Sequence, residues 1–382
     1  MLKNMSIIKK IVALMLVCVM ALGLVGCGDT TWIVKAGDIV INSGLYIFYQ
    51  LQGYTEAVYT LSEKDMNYYY YYMYGYSLLD ETIGDQKVSE YVNEYALDMC
   101  KQYVVVEQLF RDLGLELTAD DKALIKAQVN STWAASQEQF ESVGIAKSTV
   151  EKALETAYKE DLVFAAYYEV GGVKGTTEET IRAYLEDEYA RLKFMTFTFA
   201  DSVEDAIDAE RKEAQLALAN SYLERAKAGE AMDDLIAEYN AYLETLDPET
   251  EEDSTADEEA SEAEDAENIE VEEDPYADEY IIAKNSAIPS QKFVNYVFTT
   301  CKVGEFTVIQ DDTCFYLVDK MDILEREDIL EESRDYLLTE IYDSDYTALI
   351  NKTLSGYAIE INEKSVNRYT AENAIVGRDA DK

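Results

Sequence analysis

At 382 residues the chain is long enough for two modest domains, each with a core of its own. Its 77 acidic against 32 basic residues give a formal charge of −45, a surface that repels phosphate backbones and excludes nucleic acid as a partner. Histidine is absent, which removes imidazole catalysis, histidine-ligated metal sites and histidine pH switching together.

The N-terminus reads as an export segment. Lys3, Lys9 and Lys10 form a basic region ahead of thirteen apolar residues, Ile11 to Gly23. As a helix that run rises about 20 Å, too short for a ~30 Å hydrocarbon core, so a cleaved signal peptide (1–26) is expected. It ends in Leu24-Val25-Gly26-Cys27, which resembles the bacterial lipobox. That resemblance implies diacylglycerol on Cys27, cleavage before it, and a mature protein held by lipid at the outer face of the cell membrane. Beyond it lie Cys100, Cys301 and Cys314, an odd number with no framework spacing, read as buried small residues with a Cys301–Cys314 bridge left open.

In chain order, "WIVKAGDIVIN" (32–42) predicts two short strands around Ala36-Gly37-Asp38. Residues 43–190 read as almost wholly helical. Between Asp85 and Gly114, Val88, Val92, Tyr95, Met99, Tyr103, Val106, Phe110 and Leu113 fall on one helical face. Thr118 with Asp121, Ser148 with Glu151 and Thr176 with Glu179 have the capping-box spacing. "RLKFMTFTF" (191–199) is a strand, followed by helix from Ser202, broken near Gly229, to about Asn240. From Glu244 to Glu279 there are 19 acidic residues and no Lys or Arg, a composition expected to be disordered. Order is expected again at "YIIAK", with a helix from Pro289 to about Cys301, strands 306–310 and 314–321, a helix near 325–354 and a last strand, 357–362. Sequential strands set between helical segments predict an α+β fold.

Six segments together resemble the exported parvulin-type foldases, the PrsA-like lipoproteins and the SurA-type chaperone. They are "WIVKAGDIVINSGLYIFY", "GLELTADDKALI", "VGIAKSTVEKALE", "TEETIRAYLEDEYARLKFMTFTF", "ERAKAGEAMDDLIAEYN" and "IPSQKFVNYVFTTCKVGEFTVIQDDTCFYLVDKMD". The resemblance implies a helical chaperone domain (27–190) and an inserted parvulin-like domain (191–323) with a disordered acidic insertion at about 246–277. A helix and strand (324–365) would return to the chaperone domain ahead of a tail (366–382). It also implies rotation about X–Pro bonds, whose uncatalysed barrier is ~18–20 kcal/mol, by an apolar cup over a histidine-containing polar network. In this chain the family's two histidines fall at Phe194 and Tyr316, and no glycine occurs between 230 and 303 to supply the catalytic loop. Ile288 and Phe293 match the cup. The implied prolyl or peptide pocket is therefore Phe194, Ile288, Phe293 and Tyr316, with Phe194 and Tyr316 either reshaping it or filling it as core.

Two stretches carry open alternatives. "NYYYYYMYGY" (67–76) is either a half-buried loop or an adhesive client surface, since tyrosine offers a large apolar face with few rotors. The acidic run is a solvated spacer, a binder of basic clients or a calcium-binding segment, though no calcium-loop spacing occurs in it. Asp311-Asp312 reads as a hairpin turn or a carboxylate pair. No cofactor is implied. The expected partners are unfolded or partly folded exported proteins, and the expected activity is folding assistance. Efficient isomerisation, or a scaffold role for one partner, are the alternatives.

Overall fold

The structure, a computed structural model, is described here for residues 31–203, 207–246 and 276–375. The export segment with Cys27, and nearly all of the acidic run, lie outside the described residues. Two compact units make up the chain, one of residues up to 178 and from 333 onward, the other of residues 179–332. The fold is α+β, dominated by helices with small antiparallel sheets.

The first unit opens on antiparallel β1 (Trp32–Ala36) and β2 (Ile39–Asn42). Gly37, at φ 59°, makes the turn between them, a backbone state that glycine enters without strain. Asn42 then caps α1 (Ser43–Ser62), its side chain accepting from Leu45 N at 3.3 Å. Next come α2 (Asn67–Met73), a two-residue ladder of β3 (Thr82–Ile83) with β4 (Gln86–Lys87), α3 (Val88–Asp112), α4 (Ala119–Ser142) and α5 (Lys147–Tyr168). Their facing sides bury Ile33, Ile41, Phe48, Cys100, Phe140 and Leu154 in one core.

The capping box at α4 is present, with Thr118 Oγ1 accepting from Asp121 N at 3.1 Å and Asp121 Oδ2 accepting from Thr118 N at 2.8 Å. The other two expected caps are not. α5 starts at Lys147 with Ala146 at its cap, because Ile145 and Val150, both buried in the same core, staple the entry two residues earlier than Ser148 would. Thr176 lies two residues before α6 (Glu178–Glu188), and its hydroxyl donates to Tyr342 Oη at 2.9 Å.

The second unit contains β5 (Tyr189–Thr198), α7 (Ala209–Lys227), α8 (Met232–Leu246), β6 (Tyr280–Ala283), α9 (Gln291–Thr299), β7 (Phe306–Gln310) and β8 (Cys314–Met321). The helix expected from Ser202 begins only at Ala209, where Asp208 accepts from Glu210 N at 2.9 Å and Arg211 N at 3.3 Å. That cap fixes the start. The four strands form an antiparallel sheet in the order β6-β5-β8-β7. Helices cover both of its faces, so β5 and β8 bury side chains in both directions. Met195, Phe197, Phe315 and Leu317 pack with Ala219, Tyr222, Leu235 and Tyr239 of α7 and α8. Leu192, Tyr316 and Val318 pack with Phe293, Val294 and Val297 of α9.

After α10 (Glu327–Leu354) the chain adds β9 (Glu360–Ile361), α11 (Glu363–Val366) and α12 (Ala371–Ile375). β9 is shorter than the strand expected at 357–362 and pairs antiparallel with β1, Val34 opposite Ile361. Residues 366–375 are not a tail. Tyr369 is 2% exposed and Ala371 fully buried, so the segment completes the first unit's core. Gln50 Nε2 donates to the Tyr369 carbonyl at 2.7 Å, and Ala371 N donates to Asn93 Oδ1 at 2.9 Å. Its buried hydrophobic positions, Tyr369, Ala371 and Ala374, are too few to give a visible periodicity in the sequence.

Candidate peptide-binding sites

In the second unit the sheet register builds the site. Phe194 on β5 sits opposite Val318, and Tyr316 on β8 sits opposite Thr196. Phe194 and Tyr316 are therefore diagonal neighbours on one face, where large rings still meet. Their centroids are 5.7 Å apart at 80°. α9 delivers the third ring. Ser290 caps that helix by accepting from Phe293 N at 3.0 Å, and its hydroxyl also donates to Asp311 Oδ2 in the β7–β8 turn. Pinned this way, Phe293 is fully buried, 4.6 Å from Tyr316 and 5.3 Å from Phe194.

Of the four expected pocket residues the structure brings three together. Ile288 does not join them: it is 77% exposed in the turn ahead of Ser290. Tyr280 takes that side instead, its ring 4.7 Å from Phe194 and itself 49% exposed. It lies opposite Leu192 in the register, hence diagonal to Phe194, which the "YIIAK" strand would have shown once paired. Phe194 is half-buried, so the cluster runs from a closed core at Phe293 to a wet aromatic edge at Tyr280.

The phenol and thiols around these rings keep their protons at neutral pH. Burial pushes the Tyr316 phenol well above its ordinary value, and its hydrogen bond to Cys314 raises it further. Burial also raises the thiols of Cys301 and Cys314, both free cysteines. The bridge left open between them is thus not formed. Asp311 serves the turn: its N–H donates to the Cys314 carbonyl at 2.9 Å and its carboxylate accepts from Ser290. The arrangement offers ring faces to an apolar or prolyl group.

In the first unit the tyrosine run is helix α2, not a loop. Tyr68, Tyr69 and Tyr72 form its inner stripe, with only Tyr72 fully buried, edge-on to Tyr54 at 5.8 Å. Seven residues make about two turns, so one deep anchor is enough to seat them. Tyr54 also accepts from Leu78 N at 2.9 Å, fixing the chain that leaves α2. The outer side presents Met66, Tyr70, Tyr71, Met73, Tyr74 and Tyr76, each between 48% and 76% exposed. Four solvent-facing tyrosines within seven residues, Tyr70 to Tyr76, make an exposed apolar patch of the kind that marks an interaction surface.

Compared by sequence, the chain matches no protein-family model and no curated protein. Compared by structure, it is similar to the foldase protein PrsA from Lactococcus lactis at 14% identity and a TM-score of 0.31, over 90% of this chain and 99% of that one. PrsA from Streptococcus pneumoniae matches at 15% identity and a TM-score of 0.26, over 74% of this chain and 87% of that one. Scores at this level transfer neither residue roles nor activity.

Proposed function

We propose that the protein is an extracytoplasmic folding factor, lipid-anchored at Cys27, that holds unfolded exported chains without efficient prolyl isomerisation. The exposed tyrosine and methionine face of α2 carries this reading. It adheres through ring faces and soft thioethers, which suits varied apolar sequences better than one fixed partner. The formal charge of −45 draws cationic segments and repels other acidic chains. The parvulin-like sheet adds a second, weaker contact through the half-open rings of Phe194 and Tyr280. Anchoring rests on the lipobox-like sequence; among the described residues no helix is long and apolar enough to cross a membrane.

The test is suppression of aggregation of several unrelated unfolded proteins by the wild type and by a Tyr70, Tyr71, Tyr74, Tyr76→Ser variant. Wild-type suppression across all of them, lost in a variant of unchanged melting temperature, is the expected result. No suppression, or equal suppression by the variant, overturns it; suppression of one protein alone indicates a scaffold. The second reading, an isomerase acting by apolar desolvation, draws on the wet edge of the ring cluster. In a protease-free proline-peptide assay, turnover above background that Phe194→Ala abolishes would establish it.

A further inference from the structure

The first unit has a partly open cavity of ≈ 120 Å³ between α1, α3 and α5, lined by none of the exposed α2 residues. Four aromatic rings line it, Phe48, Tyr49, Tyr95 and Tyr103, and no lysine or arginine does. Tyr95 can serve as a wall because α1 has Gly53 beside it: a Cβ there would stand 2.7 Å from Tyr95 Cδ1.

The polar lining is rich in acceptors. Gln52 Oε1 is buried and has no hydrogen-bond partner. Glu160 accepts from Gln102 Nε2 at 2.5 Å and from Tyr346 Oη at 3.2 Å, both on Oε1. Its neighbour Lys159 pairs with Glu107 and Glu155 instead, so Glu160 has no counter-charge among the described residues. Burial lifts the Glu160 carboxyl above its ordinary value, and the two donors only partly offset this.

A carboxylate without a cation, an orphaned amide oxygen and electron-rich ring faces are together the complement of a positive head on a short apolar stem. We propose that this cavity binds a small organic ammonium group, with Glu160 and Gln52 Oε1 accepting its N–H donors and the rings of Phe48, Tyr49, Tyr95 and Tyr103 enclosing its methylenes. The space is somewhat below the ~150 Å³ of an apolar cavity that accepts benzene, which suits an amine of about four carbons. Either a free alkylamine or the side chain of a lysine in a bound polypeptide supplies that group. The site does not depend on the tyrosine face, so its failure would leave aggregation suppression unaffected.

Calorimetric titration of the full chain with n-butylammonium, and with n-butanol as its neutral counterpart, tests this. Saturable binding of the amine at least tenfold tighter than the alcohol is expected. Glu160→Gln should weaken it at least tenfold, and Ala157→Leu, which fills the cavity, should abolish it. Competition by an acetylated, amidated lysine tripeptide identifies a polypeptide source, and its absence a free amine. No saturation, equal binding of the alcohol, or undiminished binding by a folded Ala157→Leu variant overturns the proposal, and the wild-type comparison decides it even if both variants fail to fold.

Discussion

Arg191 grips Glu279 through two hydrogen bonds, Nη2 to Oε1 at 2.6 Å and Nε to Oε2 at 2.8 Å. The two side chains are 9% and 5% exposed. Arg326 Nη1 adds a third bond to Oε2 at 2.8 Å, and its guanidinium lies 3.4 Å from the centre of the Tyr276 ring. The last carboxylate of the acidic run is therefore a buried ligand for two arginines, and it fixes the chain as it enters β6. Bidentate geometry of this kind is the strong form of the ion pair.

Glu279→Ala should destabilise the sheet unit by about 3 kcal/mol, the low end for breaking a buried pair, because Glu325 and Asp328 stay close to the two arginines. A lower urea midpoint would register it. Burial alone would raise the Glu279 carboxyl, but Arg191 and Arg326 outweigh it and hold the group below its ordinary value. Its contribution is thus present above the ordinary glutamate pKa and lost as pH falls through the lowered one. Glu279→Gln should flatten that acid limb.

Asp161 acts in the opposite sense. Burial, with the negative charges of Glu160 and Asp335, pushes its carboxyl up to about 7. A raised carboxyl favours the protonated folded form, so stability is greatest below the unfolded value of about 4 and declines as pH climbs to 7. Asp161→Asn should raise the melting temperature at pH 8 and leave it unchanged at pH 4.

Two tyrosines of one run should separate cleanly. Tyr72→Ala removes a ring that is 8% exposed and should cost about 3 kcal/mol. Tyr74→Ser changes a ring 76% exposed and should shift stability by no more than about 0.5 kcal/mol. Chemical denaturation of both variants reads the contrast.

Gly53→Ala pits helix propensity against packing. Alanine favours an exposed helix by about 1 kcal/mol over glycine, yet here the new methyl meets the Tyr95 ring and overpacking costs about 1–3 kcal/mol. The variant should melt below the wild type.

The strands of the second unit were legible in the sequence almost to the residue, since β-branched and aromatic runs ended at turn signals on both sides. "FTVIQ" and "CFYLVDKM" match β7 and β8 throughout. The tyrosine helix was not, because a run of one residue type erases the contrast between an inner and an outer face. Phe194, Phe293 and Tyr316 could be assembled only through a family resemblance; strand register, which no local pattern records, is what makes them neighbours. Tyr280 and the Ser290–Asp311 contact were missed for the same reason. Ile288 was misplaced because only its match to the family's cup put it there, and in this chain it occupies an exposed turn.

The ladder between β1 and β9 joins residues more than 300 positions apart, Val34 with Ile361. Gln50 and the Tyr369 carbonyl make a second tie across a similar span. During synthesis, the N-terminal hairpin and α1 therefore wait for the last stretch of chain before their core can close. The second unit, continuous between residues 179 and 332, has all of its strands before then and is placed to fold first. A chain truncated after α10 would keep every helix that lines the cavity yet lack the segment that seals them, leaving the exposed tyrosines on an unfinished body.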